Sequence, residues 1–440
     1  MGSSMAFFTK ISANHQRKEL ITFYFFYAFV ILVILFLFVF LLQSFGYINH
    51  FLPNISLLYI YMGLLFSFLT WLMQIFIKIS DAYALTASVE LIKIGHKILS
   101  LLFLFYLIYF TAFHLDTYFY FQYIAFISLF FILIWLFIKK GILKNIPFKI
   151  QNPKSIIQEF IEYCHPLVAY SMLGLLIGFL NIWMLQKYGG SIQTGFYGLA
   201  YSLAAICFLF TSAMTPIITR EFSKAYGENN LKKMGELFLR YIPMLYSISA
   251  YFGVFIAMQS ENVLAIFTDA KFFEAKSVLV IMALYPIHQT YGQLSGSIFY
   301  ATENTKLYRN IAFFTQPFML FLSYLFIVQF QLGAIGLALS MVISQFMSVN
   351  IGLYFNTKFL HLNNRYFVLH QLYSILFFVV LSYIASHLFS FESNVVEFLV
   401  SGFLYTIFVI IFTYIFPQVF AITKDEIKAS LLGVKSVIKK

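Results

Sequence analysis

The chain is a succession of apolar runs, most of them long enough to cross a bilayer, joined by connections that gather nearly all of its positive charge. The runs fall at 20–44, 55–77, 98–113, 117–138, 166–186, 191–219, 241–259, 277–302, 307–330, 332–356, 366–388 and 395–420. A helix rises about 1.5 Å per residue and a hydrocarbon core is about 30 Å thick, so runs of this length read as spanning helices. With 10% charged residues against 61% hydrophobic, the composition lies far from the globular norm of about 25% charged. The expected fold is all-α: a polytopic membrane protein of about twelve transmembrane helices in two lobes.

Charge tests this count, because a missed or invented span would scramble its alternation. One side collects Lys10, Arg17 and Lys18, then Lys78, Lys93 and Lys97, then Lys139, Lys140, Lys144, Lys149 and Lys154. The same side takes Arg220, Lys224, Lys232, Lys233 and Arg240, then Lys306, Arg309, Lys358 and Arg365, and five lysines after residue 421. Only Lys187, Lys271 and Lys276 fall opposite. The positive-inside rule therefore makes the basic side, with both termini, cytoplasmic. A net charge of +11 is then explained by orientation, and no nucleic-acid partner is expected.

The second half is organised around residues 166–219, read as two spans turned at Lys187-Tyr188-Gly189-Gly190. The domain reading is a four-span partial lobe at 1–138 and a cytoplasmic connection at 139–165, in which KSIIQEFIEY forms an interfacial amphipathic helix. A six-helix lobe at 166–356 follows, then an additional pair at 357–420 and a basic tail at 421–440. In the tail Ile427, Leu431, Val434 and Ile438 share one helical face. The largest non-cytoplasmic connection, 260–276, is too small for the domain a membrane glycan enzyme needs. Moving a substrate is therefore favoured over transforming one, and no catalytic residue is expected.

Every acidic residue lies in a connection or near a span end, which removes the usual midplane marker of ion-coupled transport. The best interior candidate is His288, two residues after Pro286, on a polar surface with Gln289, Gln293, Ser295 and Ser297. A proline-loosened polar helix suits a cavity wall better than a lipid face. Asn181, Gln186, Gln316, Gln345 and Asn350 mark further interior faces, with hydrogen bonding between helices as the alternative. Arg220 with Lys224, and Lys306 with Arg309, could contact phosphate oxygens, although topology alone also places basic residues there. Tyr47, Tyr59, Tyr118, Trp135 and Tyr366 read as interfacial anchors. Cys164 and Cys207 read as inert packing residues. No metal spacing is present, and neither a GxxxxGK[ST] loop nor any other cofactor signature appears.

The segments HPLVAYSMLG, NIWMLQKYGGSIQTGFYGLAYSLA, AMTPIITREFSKAYGENNLKKM, VLAIFTDAKFFEAKSVLVIMALYPIHQ, ATENTK and QLGAIGLALSMVISQ resemble, in this order, a bacterial polysaccharide flippase of the Wzx type. That type belongs to the multidrug/oligosaccharidyl-lipid/polysaccharide exporter superfamily. The resemblance implies two six-helix lobes around a cavity that opens alternately to either side, in the bacterial inner membrane. The implied cargo is undecaprenyl-pyrophosphate-linked oligosaccharide, such as an O-antigen unit of lipopolysaccharide, with a polysaccharide polymerase and a chain-length regulator as possible partners. A coupling ion is possible. It further implies that two N-terminal helices of the family pattern are missing here, and that Asn181 stands where an acidic residue is frequent. The alternatives are a drug or small-molecule exporter of the same superfamily and a truncated, non-transporting paralogue.

Overall fold

The computed structural model describes residues 2–51, 55–111, 113–144, 146–147, 150 and 152–426. Every regular element among them is helical. The chain divides into two compact units, Gly2–Glu162 and Tyr163–Lys440.

The first unit contains α1 (Ser3–Ala13), α2 (Glu19–Ser44), α3 (Leu57–Ala82), α4 (Thr86–Phe110), α5 (Leu115–Lys139) and the opening turns of α6 (Pro153–Ala205). Apolar side chains cover its outside: Phe26 and Phe29 of α2 are 61% and 60% exposed, the surface expected where the solvent is lipid. By contrast α1 is buried through Ala6, Phe7, Phe8 and Ile11, with Phe7 stacked on Tyr24 at 4.5 Å. Lys10, read from sequence as an orienting charge, is itself buried. It donates to Glu159 at 2.7 Å, while Arg17 reaches both oxygens of the same carboxylate at 3.0 Å. The stretch 153–189 is about 55 Å long at helical rise, against roughly 30 Å of hydrocarbon. The apolar run begins only at Pro166, so the polar stretch before it, Glu159 included, takes up the excess outside the spanning portion. Burial would raise its pKa, but the hydrogen bonds and charges of Arg17 and Lys10 outweigh that and hold it at about 2.

In the second unit α6 turns at Gly190, whose φ of 79° and ψ of −178° lie in a region open essentially to glycine alone. After a 3₁₀ turn at Ile206–Phe208 come α7 (Leu209–Gly227) and α8 (Leu231–Met258). Next are α9 (Lys276–Met282) and α10 (Leu284–Ala301), then α11 (Thr305–Ser323), α12 (Gly333–Phe359), α13 (Asn364–His387) and α14 (Asn394–Ile415). One core joins α7, α8, α10, α12, α13 and α14 through residues such as Phe222, Phe238, Leu245, Tyr291, Leu353, Phe367, Phe378 and Tyr405. The last helix, α14, is fastened to α8 by the Tyr251–Tyr405 stack at 4.9 Å and by the Tyr405 hydroxyl, which donates to the Tyr251 carbonyl at 3.0 Å. His370 Nε2 lies 2.9 Å from the Val419 carbonyl, tying the turn after α14 back to α13.

Ten segments among the described residues are long and apolar enough to cross a membrane, against the twelve runs of the sequence. One is the 75-residue stretch Pro153–Gly227, which contains the Gly190 turn and so absorbs two runs. The other difference is 276–301, interrupted at Ala283 and loaded with His288, glutamines and hydroxyls. Of the tail, Ile427, Leu431, Val434 and Ile438 lie outside the described residues. Its start is visible: Thr423 and Glu426 exchange hydrogen bonds as a capping box, and Glu426 pairs with Arg240 at 3.1 Å.

Candidate functional site

Pro286 has no N–H to offer the carbonyl four residues earlier, and the helix is broken nearby, at Ala283. Thr290 Oγ1 donates to the Pro286 carbonyl at 3.0 Å and steadies the new start. Close approach of α8 is possible here only because residue 253 is glycine. A Cβ there would lie 2.7 Å from the Ala283 oxygen.

Past the break, Gln289, Gly292, Gln293, Gly296, Phe299 and Tyr300 form one helical stripe along a cavity of about 260 Å³. α11 adds Tyr308, Ala312, Thr315 and Gln316, α12 adds Gln345, Ser348, Val349 and Gly352, and the first arm of α6 adds Tyr170. On α10 and α12 the spacing is i, i+3, i+4, i+7, so each helix turns a single face inward. Four partly buried glutamine amides thus converge, and among the described residues no hydrogen bond joins any of them to another protein group. The amides of Gln289 and Gln345 meet over Gly292, where a Cβ would lie 2.8 Å from Gln345 Nε2 and 3.5 Å from Gln289 Oε1.

Another wall is aromatic. The Tyr308 ring lies 4.9 Å from Tyr170, 5.4 Å from Tyr300 and 5.6 Å from Phe299. Its hydroxyl donates to that of Tyr170 at 3.4 Å. None of the described lining residues is charged. Amides and hydroxyls can both donate to and accept from a neutral polar ligand, and phenol rings can cover an apolar face. The set offers no counter-charge to an organic cation.

Of the residues singled out from sequence, the fold brings Gln289, Gln293, Gln316 and Gln345 together. His288 points elsewhere: it is buried with Nδ1 unpartnered, between Tyr246 and Phe346 with ring centroids 6.1 and 5.1 Å away. Asn181 is also buried outside the cavity, with neither amide atom partnered. Gln186 is exposed. Asn350 links helices instead, donating to the Phe346 carbonyl at 2.8 Å and accepting from Gln371 at 3.0 Å. None of the four basic residues is among the described lining of the cavity. Arg220 donates to Glu221 at 2.7 and 3.1 Å, Lys224 is 4.0 Å from Glu228, Arg309 donates to Asn310 and sits over Phe313, and Lys306 is exposed. Among the described residues no three His, Cys, Asp or Glu side chains gather as a metal site would require. Sequence reasoning missed Tyr170, Tyr300 and Tyr308. The available signal was Gly292, Gly296 and Gly352, whose missing side chains leave room on cavity-facing positions.

Residues 166–325 match the MatE family model. No curated protein matches the chain. Among solved structures, one similar fold is an outward-facing multidrug resistance MATE family transporter of the MOP superfamily: TM-score 0.70, 16% identity, 82% of this chain and 83% of that one. A second is MATE in the bent conformation, with TM-score 0.69, 14% identity and 82% of each chain. A third is a MOP superfamily transporter from Pyrococcus furiosus, described by the reverse polarity of its binding pocket, with TM-score 0.68, 15% identity, and 82% and 83% coverage. None of these three is described as a polysaccharide flippase.

Proposed function

We propose that this multi-pass membrane protein, built on the fold of MATE transporters, exports a small uncharged solute by alternating access, and that the amide-lined cavity holds the solute in transit. The observation that carries this reading is the convergence of four partly buried glutamine amides, none bonded to another described protein group, on a cavity with no charged residue among its described lining. The MatE match covers much of the cavity wall, and the fold's likeness to a multidrug transporter favours the small-molecule reading over a lipid-linked cargo. The distribution of Lys and Arg supports a bacterial inner-membrane orientation with both ends cytoplasmic. Any coupling ion would be held by residues other than a cavity carboxylate.

A second reading is the flipping of lipid-linked oligosaccharide. It is favoured by the same lining, since amides and phenol rings also suit sugar hydroxyls and ring faces. Arg220, Lys224, Lys306 and Arg309 would then serve the phosphates, and a polymerase and chain-length regulator would be partners. Arg220 and Lys224 would first have to leave their carboxylates.

The test uses the full chain in proteoliposomes, with chloramphenicol as neutral probe and ethidium as cationic probe. Chloramphenicol should be carried and ethidium not, and Gln345→Leu should cut the rate about tenfold without lowering thermal stability. Carriage of ethidium alone would refute the neutral-solute reading. Restored O-antigen display in a strain lacking its own flippase would move the assignment to the second reading.

A further inference from the structure

A second cavity of about 100 Å³ lies against the same helix, lined by Tyr201, Ala205, Phe208, Tyr285 and Gln289 among others. Both helices beside it are irregular at that level. One makes its 3₁₀ turn at Ile206–Phe208, and the other breaks at Ala283. Two helices that depart from regular geometry at the same depth leave a gap that straight helices would close by interdigitation.

Gln289 belongs to both cavity walls. From Met282 to Tyr300 one face of the broken helix is therefore cavity lining throughout, a length of about 27 Å at helical rise. The chemistry changes along that face. The larger cavity carries four amides and several hydroxyls, whereas the smaller is walled by aromatic rings, Met282, Pro286 and two alanines, with Gln289 as its one amide. Among the described residues neither wall includes a charged one.

We infer that the two cavities form one bipartite site for an uncharged amphipathic solute. A hydroxyl-rich head lies against the amides, and a compact aromatic or apolar group enters the smaller cavity, with Gln289 touching both parts. The inference rests on the transport reading of the larger cavity and adds the class of solute. A purely polar solute would leave the aromatic chamber unused, and a purely apolar one would strand the amides, whose desolvation goes uncompensated without a partner.

The probes are methyl β-D-glucoside and phenyl β-D-glucoside, which share a head and differ in the attached group. Binding of each is measured by equilibrium dialysis on the full chain in phosphatidylcholine nanodiscs, free of glucoside detergent. Wild type should bind the phenyl compound about tenfold more tightly. Ala205→Phe, which narrows the smaller cavity from an exposed position on its rim, should bring that advantage within twofold and leave methyl glucoside affinity unchanged. Gln289→Leu should weaken both compounds. Retained methyl glucoside binding certifies that the Ala205 variant is folded. If that variant loses both compounds, Tyr201→Ala replaces it, and a changed phenyl advantage at constant methyl affinity is again required.

Equal binding of the two glucosides by wild type, or an unaltered phenyl advantage in the filled or enlarged variant, overturns the bipartite site. If wild type binds neither compound while Gln345→Leu still blocks chloramphenicol carriage, this inference falls and the transport reading stands. If Gln345→Leu carries chloramphenicol normally while Ala205→Phe removes the phenyl advantage, the site stands and the transport reading falls.

Discussion

Gly253→Ala tests whether the close crossing of α8 over the broken helix is built into the second unit. The added methyl would lie 2.7 Å from the Ala283 carbonyl oxygen and 2.9 Å from both Cγ1 and Cδ1 of Ile287. Carbon contacts normally settle at about 3.5–4.0 Å, so roughly 0.6 Å or more of overlap must be relieved. The oxygen belongs to backbone, and Ile287 is fully buried, so relief requires α8 to back away. Overpacking of this kind costs about 1–3 kcal/mol, and the rigid neighbours put the cost near the upper end. Alanine recovers about 1 kcal/mol of helix propensity over glycine, which leaves about 2 kcal/mol net. At about 2–4 °C per kcal/mol for a unit of this size, the melting midpoint should fall by about 4–8 °C. The assay is thermal unfolding of the purified full chain, with Gly178→Ala as control. A Cβ at Gly178 meets nothing within 4 Å, so the control should keep or slightly raise the midpoint. Equal midpoints for the two variants would refute the close-crossing argument.

Three further outcomes are expected. Glu159, held at about 2 against an ordinary 4.5, stabilises the first unit fully above about pH 4.5. That contribution is lost as pH falls toward 2, so Glu159→Gln should lower the wild-type midpoint at pH 7 by an amount that vanishes near pH 2. An undiminished difference at low pH would rule out the clamp. Gly190→Ala forces a side chain into a glycine-only conformation at a cost of about 1–3 kcal/mol, readable as a lower midpoint; an unchanged one would mean the turn relaxes freely. Tyr405→Phe keeps the stack on Tyr251 but removes its hydrogen bond, for a loss of about 1 kcal/mol. Tyr405→Ala should cost about 3–5 kcal/mol, and a similar loss from both would give the hydroxyl, not the ring, the main role.

The spanning helices were legible because their signal is local: length, apolarity and the side on which lysines collect. The Gly190 turn was legible for the same reason, since Lys187-Tyr188-Gly189-Gly190 interrupts two apolar runs. Of the interior polar residues read from sequence, the fold brings Gln289, Gln293, Gln316 and Gln345 to one cavity, because they sit on faces their own helices cannot turn to lipid at low cost. His288 is adjacent in sequence to Gln289 yet does not line the cavity with it, because adjacent helical residues point about 100° apart. Asn350 serves Gln371 on another helix, the hydrogen-bonding alternative, and that pairing is visible only in three dimensions. The basic residues were read as one class, yet Lys10 is buried against Glu159 while Lys306 is exposed. Partner carboxylates distant in sequence decide that difference.

Polar residues inside a membrane protein can hold helices together or receive a solute, and the second unit contains both kinds. Thr211, Ser249 and Thr290 are fully buried and bond one another at 2.7–3.2 Å, so their hydrogen-bonding capacity is spent within the protein. The four glutamines spend none of theirs on protein, although they lie on the same or neighbouring helices. Each of the four is only partly buried and so stays open to solvent, where leucine at the same position would pack an apolar wall. Packing therefore gives no reason for four of them to face one cavity. Water meets the requirement in the empty state, and a solute that replaces it must present donors and acceptors of its own. This asymmetry between spent and unspent hydrogen bonds separates the binding wall from the interhelical glue, and makes Gln345→Leu the substitution that should remove carriage while preserving the fold.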